Sequence, residues 1–224
     1  MSEASILIPC RSATVVGDLS MPPDAELLVI FAHGSGSSRH SPRNRAVARV
    51  LNEGRMGTLL LDLLTAEEDA VDAFTAQHRF DIPLLAARLL AAIAWAREMP
   101  ETRRLPIGLF GASTGAAAAL VAAAQRPDDV CAIVSRGGRP DLADEVLPRV
   151  KAPTLLIVGS RDRIVLDLNR QALERLSCPK RLEVVPGATH LFEEPGALDR
   201  VAQSARAWFN TWAQPVHGER AGRA

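Results

Sequence analysis

An α/β domain with a mostly parallel sheet and helices on both of its faces is the fold predicted for this chain, and three observations carry that expectation. From residue 27 onward, short apolar runs alternate with longer segments of helical spacing, the pattern of right-handed βαβ crossovers. Runs such as Leu27-Leu28-Val29-Ile30-Phe31-Ala32 are apolar without interruption, as strands covered on both faces require. At 224 residues with 47% hydrophobic content, the chain is long enough for one domain with a sizeable core.

The elements follow in order. Residues 5–10 and 13–20 are β-rich runs split by a polar pair, which predicts an antiparallel hairpin at the sheet's edge, closed by Met21-Pro22-Pro23. The strand at 27–32 ends in His33-Gly34-Ser35-Gly36. Ser41 before Pro42 reads as N-cap and first residue of a helix that stops near Glu53-Gly54, and 58–61 is the next strand. The polar, acidic stretch between Asp62 and Phe80 exceeds the ~2 to 6 residues usual for α/β connections, so it is a short extra helix or a loop, and a candidate wall of a substrate pocket. Residues 82–97 have helical spacing, with Arg88 and Arg97 on the polar side, and stop before Met99-Pro100.

Residues 105–124 hold a short apolar run that breaks at Gly111-Ala112-Ser113-Thr114-Gly115 and resumes as an Ala-rich helix. The strand at 130–135 leads into Arg136-Gly137-Gly138-Arg139, and about 14 residues separate Pro140 from the strand at 154–158, too few for a large lid. A helix at 169–176, a strand at 182–185 and an amphipathic helix at 196–212 complete the domain, which is expected to span 1–213. The tail at 214–224 is polar and without periodicity, the signature of disorder.

Composition narrows the partners. With 26 basic and 26 acidic residues interspersed and a formal charge of zero, nothing favours nucleic acid or an anionic membrane as partner, and whether the chain is a monomer or a homodimer stays open. Cys10, Cys131 and Cys178 are odd in number and lack metal-ligand spacing, which fits a reducing, cytoplasmic setting better than a disulfide framework. The N-terminus has neither the basic region nor the long apolar core of a signal peptide. Residues 105–125 carry no charge, but Pro106, three glycines and Ser113-Thr114 make them a poor bilayer span and a good buried strand and helix.

Gly111-Ala112-Ser113-Thr114-Gly115 is the G-x-S-x-G pattern of a nucleophile elbow, where a serine sits on a turn too tight for neighbouring Cβ atoms. A serine hydroxyl is a poor nucleophile at neutral pH and needs a base, and the base needs a carboxylate to fix its tautomer. His190, in the loop after the last strand, and Asp162, just past the strand at 154–158, stand in the order Ser, Asp, His. Asp62 rivals Asp162 but precedes the elbow. His33 precedes the glycines of its loop and is expected to hold that loop, while His40, His78 and His217 lie in polar surroundings.

With HGSGSS after the first parallel strand, GASTG at the elbow, GSRD after the penultimate strand and GATH near the end, the chain resembles an α/β-hydrolase of the dienelactone-hydrolase-like branch, nearly lidless. The resemblance covers everything but the tail. It implies a Ser113, Asp162 and His190 triad, an oxyanion hole made by the amides of Ser35 and Thr114, and no cofactor or metal. Dienelactone hydrolases proper resemble the chain in size but use cysteine at the elbow, so the serine here shifts the expectation from lactones toward a serine esterase on small ester-like substrates. The alternatives are an acyltransferase or perhydrolase using the same triad, and a non-catalytic binder of this fold.

Two further readings complete the set. Gly34-Ser35-Gly36 between strand and helix invites a dinucleotide site with Asp62 as the ribose acid, but Arg39 stands where the third glycine belongs. Arg136 and Arg139 read first as solvated turn residues. As a second reading, Arg136 at a strand's carboxyl end binds a substrate carboxylate.

Overall fold

The computed structural model describes residues 2–11 and 13–213, so the expected disorder at 214–224 falls outside the described residues. Eight strands form one sheet in the order β1-β2-β4-β3-β5-β6-β7-β8. β1 (Ser2–Pro9) and β2 (Thr14–Met21) make the antiparallel hairpin, and β2 also runs antiparallel to β4 (Met56–Leu61). From β4 through β3 (Leu27–Ala32), β5 (Ile107–Ala112), β6 (Val130–Arg136), β7 (Thr154–Gly159) and β8 (Lys180–Val185) every pairing is parallel. This is an α/β-hydrolase sheet with its antiparallel edge at the N-terminus.

Side-chain alternation divides each central strand between two apolar layers. In β3, Leu28, Ile30 and Ala32 join one layer with α3 (Ile82–Glu98) and α4 (Thr114–Gln125). Leu27, Val29 and Phe31 join the other with α1 (Pro42–Glu53) and α6 (Ala197–Trp212). Phe31 stacks on Phe110 of β5 with ring centroids 4.8 Å apart. Each such fully buried side chain contributes about 1.5–3 kcal/mol. α4 lies close under the sheet because Ala116, Ala117, Ala118 and Ala119 add little bulk, and all four are buried.

Local chemistry sets the ends. Ser41 Oγ accepts the Asn44 N–H at 3.3 Å and caps α1, with Pro42 in its first turn. The acidic stretch after β4 is a helix, α2 (Ala66–Thr75), opened by a capping box in which Thr65 Oγ1 accepts from Glu68 N and Glu68 accepts from Thr65 N. α5 runs over Arg163–Arg175, starting six residues before the expected 169–176. The connection from β6 to β7 is a kinked 3-10 segment, Pro140–Arg149, and no lid domain interrupts it.

Among the described residues no helix is long and apolar enough to cross a membrane. The uncharged stretch at 105–125 is instead β5 and α4, buried in the sheet and beneath it.

Candidate active site

The carboxyl ends of β3, β5, β6, β7 and β8 meet on one rim of the sheet, and the candidate residues gather there. Ser113 follows β5 with φ 50° and ψ −120°, a left-handed backbone that a residue with a Cβ adopts only when its surroundings impose it. Both glycines of the motif are imposed too. A Cβ on Gly111 would lie 2.4 Å from Ala116 Cα, and one on Gly115 would lie 2.3 Å from the Ala32 carbonyl oxygen. The turn is then locked by its own backbone: Ser113 N–H donates to Arg136 O at 3.3 Å, and Ser113 O accepts from Arg139 N at 3.1 Å. α4 begins immediately after Ser113, at Thr114.

His190 and Asp162 are brought together. His190 Nδ1 lies 2.6 Å from Asp162 Oδ2, a charge-assisted hydrogen bond that leaves Nε2 as the base nitrogen. Asp162 is mostly buried, with 14% of its side chain exposed, whereas the imidazole keeps 40% and faces solvent. The ring stands beside Gly137, where a Cβ would touch Nδ1 and Cε1 at 3.5 Å, and Gly137 directly follows the residue whose carbonyl takes the Ser113 N–H. His190 is bonded to Asp162 and not to Ser113, whose Oγ has no hydrogen bond among the described residues. Asp62, the rival carboxylate, is used elsewhere: it accepts the Arg39 N–H at 2.7 Å and pairs with the Arg39 guanidinium, which also reaches Asp18. The residue that breaks the dinucleotide pattern therefore anchors the loop after β3, and the supposed ribose acid anchors it.

That loop passes over the elbow. A Cβ on Gly34 would sit 3.0 Å from Ser113 Cβ, and Ser35 Oγ lies 3.1 Å from Thr114 Oγ1, so the two residues expected to supply oxyanion donors are in contact. Thr114 is the first residue of α4, where the leading amides of a helix lack an intrahelical acceptor. His33 holds the loop from below. Its Nε2 accepts the Leu63 N–H at 3.0 Å and its Nδ1 donates to Gly34 O at 2.9 Å, and burial drives the imidazole below its usual pKa, so the ring is neutral.

α2 and the turn after it close this side. Asp72, 1% exposed, accepts from the backbone of His78 and Arg79 and from Arg79 Nε at 2.6 Å, which folds the chain back over α2. Leu63, Leu64, Asp69 and Arg79 from this segment, with Leu85, border a cavity of about 10 Å³ against Ser35 and Thr114. A larger groove of about 750 Å³ lies between the hairpin and α1 and contains none of the candidate residues.

The structure corrects the reading of Arg136 as a solvated turn residue. It is the last residue of β6, 8% exposed, and its Nη2 donates to Asn44 Oδ1 of α1 at 3.3 Å. Sequence offered no signal for this, because the partner lies 92 positions away. Arg139 is half-buried and bonds both oxygens of Asp141. The cysteines are free, and burial pushes the Cys131 thiol up to about 12. No cluster of three or more metal-binding side chains occurs among the described residues.

Comparison with known proteins places this arrangement. A sequence model of the Dienelactone hydrolase family matches residues 25–214. A crystal structure of a dienelactone hydrolase from Anabaena variabilis is 54% identical, superposes with a TM-score of 0.93, and is matched over 95% of this chain and 99% of its own. XC6422 from Xanthomonas campestris, described as an a/b serine hydrolase without lid, shares the fold at 22% identity and a TM-score of 0.75, over 95% and 96% of the two chains. A Mycobacterium tuberculosis protein named "Putative phosphoribosyl transferase Rv0571c" is 56% identical over 209 residues, 93% of this chain but 46% of its own length. The chain thus spans about half the length of the curated relatives it matches. With its family match extending from β3 to the end of α6, the chain belongs to the dienelactone hydrolase family.

Proposed function

We propose that the protein is a serine hydrolase of small ester-like substrates, carboxylesters, thioesters or lactones. The observation that supports this reading is a serine held at positive φ after β5, with an imidazole bonded to a carboxylate in the loops after β8 and β7. Ser113 attacks the acyl carbonyl while His190 Nε2 takes its proton, and Asp162 orients the ring and stabilises the imidazolium. The amides of Ser35 and Thr114 hold the oxyanion, each donor contributing about 2.7–4 kcal/mol to the transition state. The leaving alcohol or thiol receives the proton from His190, and water, deprotonated by the same nitrogen, releases the acid. The three free cysteines support a cytoplasmic setting.

Treating the protein with a serine-directed phosphonate and following p-nitrophenyl acetate hydrolysis tests the reading. The expected result is one adduct at Ser113 and turnover that Ser113→Ala removes. Absence of both adduct and turnover would leave the non-catalytic binder, and product transfer to a non-water acceptor would favour the acyltransferase.

The name of the 56% identical relative favours a second reading, phosphoribosyl transfer. That name belongs to a protein about twice as long, so we assign the transfer chemistry to the part of it that this chain does not match. Incubation of this chain with a phosphoribosyl diphosphate is expected to release no diphosphate.

A further inference from the structure

The side of the rim facing α1 and α6 carries a charge that the proposed hydrolysis does not use. Arg136 projects from the end of β6 into that layer and is buried, and its Nε and Nη1 have no hydrogen-bond partner among the described residues. Its one contact of note is with the neutral amide of Asn44. The charged group that bears on it is Arg43, a like charge. Arg43 is itself incomplete: Nη1 reaches Glu193 at the surface at 3.3 Å, while its buried Nε has no partner.

Other arginines of low exposure are built differently. Arg88 faces Glu68 at 2.7 Å, Arg79 faces Asp72 at 2.6 Å, and Arg97 faces Asp129 at 3.1 Å. A buried cation without a carboxylate is strongly unfavourable, and Arg136, with the like charge of the partly exposed Arg43 beside it and no carboxylate partner among the described residues, calls for a counter-charge from outside the chain. Burial and Arg43 together lower the Arg136 pKa only to about 10, which leaves it protonated at neutral pH. The N-terminus of α1 adds to the demand. Arg43 and Asn44 lie in its first turn, which holds no acidic residue, and the positive end of the helix dipole favours an anion there.

We propose that Arg136, Arg43 and the first turn of α1 form a binding site for a small inorganic anion of halide size. The site is structural and adjoins the catalytic rim. Arg136 O accepts the Ser113 N–H, and Gly137 packs against the His190 ring, so the anion fixes the strand end from which both groups are positioned. The demand is for charge beside a side chain only 8% exposed, which a small ion such as a halide meets.

The test is thermal unfolding of the protein in sodium chloride and sodium bromide against sodium gluconate at equal ionic strength, with sodium formate as a carboxylate arm, and bromide-soaked crystals measured for anomalous scattering. The midpoint is expected to rise with the logarithm of halide concentration, as for a ligand that binds only the folded state, and an anomalous peak is expected between Arg43 and Arg136. Arg136→Met is expected to remove the halide dependence. Arg43→Gln, at a partly exposed position, is expected to weaken it at least several-fold in apparent Kd even if Arg136→Met does not fold. Equal midpoints in halide and gluconate with no peak would overturn the proposal, since water would then serve the orphaned nitrogens. A rise in formate but in neither halide would make the pair a carboxylate subsite and overturn it equally.

Discussion

At the scale of single residues, the proposed chemistry depends on which nitrogen of His190 is free. Asp162 holds Nδ1 at 2.6 Å, so Asp162→Asn keeps the shape but presents a group able to donate to Nδ1 and favours the wrong tautomer. The expected outcome is a fall in kcat of about 10⁴-fold with little change in KM, measured on p-nitrophenyl acetate at saturating substrate. An equal loss on replacing Asp62 would contradict the assignment, because that carboxylate is occupied by Arg39. His33 gives a residue-scale prediction about stability. Its folded pKa lies below the usual 6.5, so the unfolded chain binds the proton first. Its contribution is therefore whole above about pH 6.5 and declines as the pH falls from there through the lower folded value. His33→Gln keeps an acceptor for Leu63 N–H but cannot titrate, and its unfolding midpoint is expected to lose less than that of the parent protein between pH 7 and pH 5. The candidates Ser113, Asp162 and His190 could be singled out in the sequence because a triad would demand fixed neighbours, glycines around the serine and a loop after each strand; of its contacts, the structure shows the bond between His190 and Asp162. The burial of Arg136 was not legible, since it follows from the docking of α1 and leaves no local pattern.

At the scale of elements, the elbow works because strand and helix approach more closely than side chains allow. Gly115→Ala would place a methyl 2.3 Å from the Ala32 carbonyl oxygen and 2.4 Å from that of His33, both backbone atoms at the end of β3. The helix must then retreat or the strand must bend. The expected cost is about 1–3 kcal/mol in urea unfolding, with a larger proportional loss of phosphonate labelling because Thr114 and Ser113 move with the helix. Unchanged labelling would show that the contact is slack. Elements announced by periodicity or caps, such as α1 with Ser41-Pro42, were legible to within a residue. α5 began earlier than its sequence suggested because Ile164-Val165-Leu166 reads as β-rich, yet Val165 and Leu166 pack against Val158 of β7 and draw the run into the helix. β1 extended back to Ser2 because pairing with β2 continues to Met21, a tertiary fact that no window of the N-terminus contains. The 3-10 segment at Pro140–Arg149 escaped notice since its prolines argue against an α-helix without excluding a tighter turn.

At the scale of the whole molecule, the two apolar layers are opposite faces of the same strands, and this bears on how the protein loses its site. Ile30 and Phe31 are consecutive residues of β3 committed to different layers, as are Ile133 and Val134 of β6. Neither layer can open without stripping one face from strands that the other still needs. We therefore expect the described domain to melt as one unit. The tryptophans are placed to decide the matter: Trp95 of α3 packs against one layer, and Trp208 and Trp212 of α6 pack against the other. Replacing Trp95 by Phe leaves a reporter of the α6 side, and replacing Trp208 and Trp212 by Phe leaves a reporter of the α3 side. Each variant's fluorescence midpoint in urea is expected to coincide with its own circular-dichroism midpoint, and the proposed hydrolysis is expected to vanish over the same range. The coupling to activity follows because β5 and β6, whose ends hold Ser113 and Arg136, draw on both layers. A fluorescence transition on the α6 side that precedes the circular-dichroism transition would show the layers to be separable. The elbow's geometry would then be owed to α3 and α4 alone.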